Sequence, residues 1–223
     1  MEILKLLSTI DVPISAARIQ GELNLPRSST YHLLAEMVDA GFVAHLPEHK
    51  TYGLGLAAYS MASAYVTQQP LVRMATRDLE QCAALVGGSG HLSRMAGSEI
   101  LYLQEVRAAG ATSLVTEVGV RLQAHKTASG RVMLAHLPDA EVRAAFDTAG
   151  GSGFAALKER LSLVAARGWD QEIEEITRGQ ASVAAPILDH LERPAAAIAV
   201  TYPVSTPADR VEELIAALRQ AAE

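Results

Sequence analysis

The chain has 223 residues, 49% of them hydrophobic, one cysteine and a formal net charge of −6. This suffices for one large or two small packed domains; the lone Cys82 excludes an internal disulfide framework and a cysteine-rich metal site and suits a reducing cytosol. The acidic balance argues against coating nucleic acid non-specifically, and MEILKLLSTIDV, with Glu2 and Lys5 among few apolar residues, reads as neither signal peptide nor membrane span, so a cytoplasmic protein is expected.

In chain order, Ile3, Leu6, Leu7 and Ile10 at spacings of three and four predict a helix over 2–10, stopped near Val12-Pro13. Ser15 is placed to cap a second helix with Ala17, Ile19 and Leu23 as its apolar positions. Asn24-Leu25-Pro26 breaks that helix. Ser28 or Ser29 can cap a third, which runs to about Ala40, ends at Gly41 and carries Leu33, Leu34, Met37 and Val38 as its apolar stripe. Strand-like runs at 42–46 and 51–54 flank the polar Pro47-Glu48-His49-Lys50 and predict a hairpin. Three helices and a hairpin make a winged helix-turn-helix over 1–54. A small-residue helix from Leu56 to about Val66 forms a linker segment over 55–68, closing at Gln68-Gln69-Pro70, and a longer helix from Leu71 to about Leu85 opens a second domain over 69–223. In that domain strands are expected at 91–95, 100–106, 113–118, 181–188 and 195–202, with helices near 128–136, 140–145, 154–167 and 208–222. The pattern is α+β, a largely antiparallel sheet with helices packed on it.

The third helix presents Arg27, Ser28, Ser29, Tyr31 and His32 near its N-terminus, residue types that reach phosphates and base edges when such a helix enters a major groove. A packing unit that touches no nucleic acid would use the same apolar stripe; residues 1–54 hold four basic against six acidic side chains, a net of −2, and the hairpin favours DNA. His45 and His49 lack a third ligand nearby for a metal, whereas His49 and Lys50 at the hairpin tip can approach the DNA backbone. The chain has no Walker loop, no H-E-x-x-H and no G-x-S-x-G, so neither enzyme nor cofactor is expected. GGSGHLS follows a helix, not a strand, and reads as a helix-to-strand turn; Cys82, mid-helix among Leu79, Ala83 and Leu85, reads as a buried structural thiol. Downstream, Thr127-Ala128-Ser129-Gly130 opens a helix where free N–H groups and small hydroxyls can bind an anion, or where an ordinary cap meets a tight glycine contact. Trp169, Glu172 and Ser182 are further polar candidates. Arg94 interrupts a short strand and either snorkels to solvent or turns inward to pair with a carboxylate.

The succession LPRSSTYHLLAEMVDAGFV, TYGLGLAAYSMA, VGVRLQAHKTASGRVMLAHLP, RGWDQEIEEITRGQASVAAPILD and AAAIAVTYPVS resembles, in order and spacing over nearly the whole chain, the isocitrate-lyase-regulator (IclR) family of bacterial transcription factors. The resemblance implies an N-terminal winged helix-turn-helix that binds double-stranded operator DNA, a linker helix, and a C-terminal GAF-like domain that binds a small organic acid. It also implies a homodimer or a dimer of dimers. Carried onto this sequence, the effector contacts fall at Ala128, Ser129, Gly130, Glu172, Ser182 and Thr201, with Trp169 and Arg94 as added candidates. His32 stands where the family frequently has arginine, Ser182 where it often has cysteine, and Ala199 where a hydroxyl residue can occur; these departures widen the expected effector to an aromatic carboxylate or its amide or hydrazide. A GAF-type small-molecule sensor whose helix-turn-helix serves only dimerisation is the alternative.

Overall fold

The computed structural model describes residues 1–68, 70–112 and 116–223. It divides into two compact units, Met1–Gln69 and Pro70–Glu223.

The first unit contains α1 (Glu2–Ser8), β1 (Ile14–Ser15), α2 (Ala16–Leu23), α3 (Arg27–Asp39), β2 (Val43–Leu46), β3 (Thr51–Leu54) and α4 (Leu56–Gln68). Ser15 does cap α2, its hydroxyl accepting from the Arg18 N–H at 3.3 Å, but the buried face of α2 is Ala16 and Ile19, and Ala17 is exposed. α3 starts at Arg27, ahead of both proposed caps: Pro26, with φ −59°, occupies the capping position without a side-chain bond, and Ser28 and Ser29 lie exposed in the first turn. Its buried stripe is Thr30 and Leu34, with Met37 and Val38 partly covered, while Leu33 is 40% exposed. At the far end Gly41 takes φ +75°, and the N–H groups of Gly41 and Phe42 donate to the Val38 and Met37 carbonyls at 3.0 and 2.9 Å. This is the left-handed glycine stop expected of that position. Ile3, Leu7, Ile14, Ala16, Ile19, Leu34 and Val43 form the core. The predicted hairpin gains a third strand: Ile14 pairs with Tyr52, giving the order β1-β3-β2. Two residues are too few to show a period, so β1 was invisible in the sequence.

The second unit contains α5 (Pro70–Val86), β4 (Ser89–Ala96), β5 (Glu99–Arg107), β6 (Arg121–Gln123), a 3-10 turn (Ala124–Lys126), α6 (Ala128–Leu134), α7 (Asp139–Thr148), α8 (Phe154–Arg167), β7 (Asp170–Ile173), β8 (Gln180–Leu188), β9 (Pro194–Pro203) and α9 (Ala208–Ala221). The six strands form one antiparallel sheet in the order β6-β5-β4-β9-β8-β7. α5 and α9 pack against it and each other, and α6 packs against β8, β9 and α8. On the α6 side Val132, Met133, Phe146, Leu161, Ala184 and Ala199 belong to one buried cluster. Of the strand expected at 113–118, residues 113–115 lie outside the described residues and 116–118 are not strand; the next strand is β6. The polar DQEI of β7 was not foreseen either, because its alternation sets charged residues, not apolar ones, on the buried face.

Candidate functional site

Strand register assembles a hollow beneath α6. Glu172 of β7 pairs with Ser182 of β8, Ser182 with Thr201 of β9, and Thr201 with Ser89 of β4, so four strands place one row of oxygen-bearing side chains across the sheet. The next row is Asp170, Ala184, Ala199 and His91. Its two alanines leave space under the helix. His91, Tyr102, Thr116, Ala128, Ser129, Glu172, Ser182 and Thr201 all line the resulting cavity, with Ile176 and Thr177 of the β7–β8 turn as further wall. The free space is about 20 Å³, on the scale of one water molecule.

Glu172 is 3% exposed and accepts from the Ser182 hydroxyl at 2.7 Å and the Glu175 N–H at 2.9 Å; Ser182 and Thr201 share a further bond at 2.9 Å. No lysine or arginine is among the described residues that line the cavity. Burial, with Glu172 secondary, pushes the Tyr102 phenol up, and burial pushes His91 down to about 4, so its imidazole is uncharged at neutral pH. The His91 Nε2 lies 3.4 Å from the Thr116 hydroxyl and the ring meets Tyr102 edge-on.

The first turn of α6 is held from both ends. The Thr127 hydroxyl accepts from the Gly130 N–H at 2.9 Å, so that N–H is occupied by the cap, not left for a ligand. A Cβ on Gly130 would fall 2.1 Å from the Ala124 carbonyl oxygen: the glycine is there for close approach to the 3-10 turn. Arg131, 1% exposed, points away into an ion-pair network that is buried at Asp170 and reaches the surface at Glu175, Arg160 and Arg167. Its Nε donates to Asp170, its Nη1 to Glu175 at 3.1 Å and its Nη2 to the Gln171 carbonyl at 3.3 Å, while Arg160 pairs with the same two carboxylates and Arg167 with Asp170. The network ties α6 to β7, α8 and the turn that walls the cavity.

In the first unit, residues at one-turn intervals opposite Thr30 and Leu34 are exposed: Ser28, Ser29, His32 and Glu36. Arg27 and Tyr31 flank them, with the guanidinium 5.8 Å from the ring centroid. His49 and Lys50 are exposed in the β2–β3 turn, where Lys50 adopts φ +51°, and His45 stacks on its cross-strand partner Tyr52 at 4.6 Å.

Residues 1–47 match the IclR helix-turn-helix domain, and residues 63–223 match the bacterial transcriptional regulator IclR C-terminal domain. The chain belongs to the IclR family. It is 30% identical to the glycerol operon regulatory protein of Streptomyces griseus, over 90% of this chain and 82% of that one. Among solved structures it resembles the IclR transcriptional regulator of Alicyclobacillus acidocaldarius (TM-score 0.85, 19% identity, 99% of this chain and 93% of that). It also resembles an IclR homologue from Microbacterium hydrocarbonoxydans complexed with 4-hydroxybenzoate (TM-score 0.80, 22% identity, 99% and 94%). IclR proteins are transcriptional regulators, not enzymes, with a DNA-binding helix-turn-helix and an effector-binding C-terminal domain. Among the described residues no helix is long and apolar enough to cross a membrane.

Of the candidate effector contacts in this IclR chain, Ala128, Ser129, Glu172, Ser182 and Thr201 meet around the cavity and three others do not. Gly130 is spent on packing. Arg94 is exposed, on the face of β4 opposite His91 and Ser93, past the stretch where Leu92 is still buried. Trp169 alternates with Asp170 and lies with Gln171 and Tyr202 in a separate groove, under the Arg167 guanidinium at 4.1 Å. Sequence reasoning missed His91, Tyr102, Thr116 and Arg131. The polar residues at every second position in Ser89-Gly90-His91-Leu92-Ser93 carried a signal for the first of these; the pairing of Arg131 with residues about 40 positions away carried none. Cys82 is 3% exposed, and burial, with Asp78 behind it, raises its thiol to about 11, as suits a packed thiol and not a nucleophile.

Proposed function

We propose that the chain binds double-stranded operator DNA sequence-specifically and that a small organic acid held in the hollow beneath α6 sets its operator affinity. The observation that carries this is the convergence of five effector candidates from α6, β7, β8 and β9 on one buried cavity. The acid's carboxylate sits at the Ala128–Ser129 end, where two N–H groups and a hydroxyl are left free by the Thr127 cap, and away from the buried Glu172, which would repel it. Glu172, Ser182 and Thr201 bind the hydroxyl or N–H groups at the other end. Because the free space is about 20 Å³, an organic acid, and above all an aromatic one, enters only if Ile176 and Thr177 move. The neighbouring Glu175 is held by Arg131 and Arg160, so that movement is transmitted to the ion-pair network. The effector acts by its differential affinity for two arrangements of the protein.

On the DNA side, Arg27, Ser28, Ser29, Tyr31 and His32 read the operator while His49 and Lys50 meet the backbone. With few cations in the unit, affinity depends on two half-sites bound by a homodimer, singly or as a dimer of dimers. The uncharged α4, with Leu56, Tyr59, Met61 and Tyr65 exposed at 45% or more, supports such pairing. A mobility-shift assay of the full chain on DNA flanking its own gene tests the reading: a specific shift that changes with added organic acids is expected, and no specific shift at moderate salt overturns it.

A further inference from the structure

Among the described residues, four buried side-chain polar atoms have no hydrogen-bond partner, and three of them, on Ser89, His91 and Ser93, follow one another along the inward face of β4. Such atoms cost the fold a lost hydrogen bond each, and one that lines a cavity is placed to be completed by whatever the cavity holds. Only His91 of the three lines the cavity; it is 1% exposed, with Nδ1 unpartnered.

Resting on the reading of the hollow as the effector site, we propose that His91 is a specificity residue that selects a small hydroxylated organic acid by hydrogen-bonding the acid's hydroxyl. A neutral imidazole carries one donor and one acceptor. If the Thr116 hydroxyl donates to Nε2, Nδ1 bears the proton and seeks an acceptor; if it accepts, Nδ1 seeks a donor. A hydroxyl answers either tautomer. A second carboxylate answers only one, and it would lie in a cavity that holds the buried Glu172 and no cation among its described lining residues. Burial, which holds His91 down to about 4, keeps the ring in this neutral form.

The test is calorimetry on the full chain with two pairs that differ by one hydroxyl: 3-hydroxypropionate with propionate, and 4-hydroxybenzoate with benzoate. In at least one pair the hydroxylated acid is expected to bind about tenfold tighter. His91→Leu should cut that preference at least about threefold while raising the melting temperature of the ligand-free protein, a combination that a merely structural histidine would not give. His91→Asn, which keeps a donor and an acceptor, should retain part of the preference and serves where the leucine variant fails to fold. A preference undiminished in both variants, or acids that bind without any preference, overturns the role of His91 and leaves the effector site standing. Failure of all four acids to bind the wild type overturns the acid-effector reading and this inference with it.

Discussion

Two helices of this chain open with the same kind of residue, Arg27-Ser28-Ser29-Thr30 in α3 and Thr127-Ala128-Ser129-Gly130 in α6, and they end in opposite environments. The first turn of α3 is exposed apart from Thr30, whereas every residue of α6 from Ala128 to Leu134 is buried. α3 needs only one stripe, Thr30 and Leu34, to dock on a small core, and its other faces are left to solvent. α6 lies between the sheet, the 3-10 turn and α8, so the capping Thr127 hydroxyl and Arg131 find their partners inside the protein. Small hydroxyls at a helix start therefore signal a polar end, and packing alone decides whether that end meets a large external partner or a small enclosed one.

Breaking the interior side should cost most. Asp170→Ala removes a carboxylate with 0% exposure that Arg131, Arg160 and Arg167 share. It should destabilise the second unit by about 3 kcal/mol in urea unfolding, since an uncompensated buried arginine remains; a change below about 1 kcal/mol would show that Glu175 alone suffices. Nearly as large is a pH effect. The folded His91 titrates near 4 against 6.5 when unfolded, so the unfolded chain takes up a proton that the folded one refuses. The associated stability is complete above 6.5 and declines as pH falls toward 4, by about 3 kcal/mol in all. Unfolding of wild type and His91→Leu at pH 7 and pH 4.5 should show a shallower loss in the variant.

Two glycines sharpen the contrast at intermediate cost. Gly130→Ala drives a Cβ to 2.1 Å from the Ala124 carbonyl and should destabilise by about 2 kcal/mol. Gly21→Ala, in a helix with nothing within 4 Å, should stabilise by up to about 1 kcal/mol. Equal shifts in melting temperature for the two would contradict the packing assigned to α6. The smallest stability effect belongs to the exterior: His32→Ala should change folding by less than about 0.5 kcal/mol. It should nonetheless weaken operator binding about tenfold, while His32→Arg steepens the salt dependence by about one unit of slope. Unaltered affinity in both would remove His32 from the DNA face.

Local chemistry was enough to read much of this from the chain. The Gly41 stop, the Ser15 cap and the hairpin around Pro47–Lys50 depend on residues within a few positions of each other, and each is found where the spacing predicted it. Errors cluster where a neighbour distant in sequence intervenes. Leu33 reads as stripe but is turned out by the orientation at which α3 meets Ile19 and Val43, and β1 exists only because Tyr52 is there to pair with Ile14. The same division runs through the cavity. Ser129, Glu172 and Ser182 were legible as polar candidates along the chain, and Ala128 and Thr201 followed from the family resemblance, yet nothing in their spacing told that Gly130, Trp169 and Arg94 would not join them.

By itself, then, the sequence determined the order of the helices and the longer strands, the family pattern and the residue types able to bind DNA or a small acid, because caps, breaks and periodicities are set by short-range sterics and hydrogen bonds. Only the tertiary structure decided which polar groups share a cavity and which are satisfied elsewhere. Strand register brings Glu172, Ser182, Thr201 and Ser89 into one row, and the network around Asp170 claims Arg131. Register and buried charge pairing are settled by contacts between segments far apart in the chain, where the cost of an unpartnered polar group selects the arrangement.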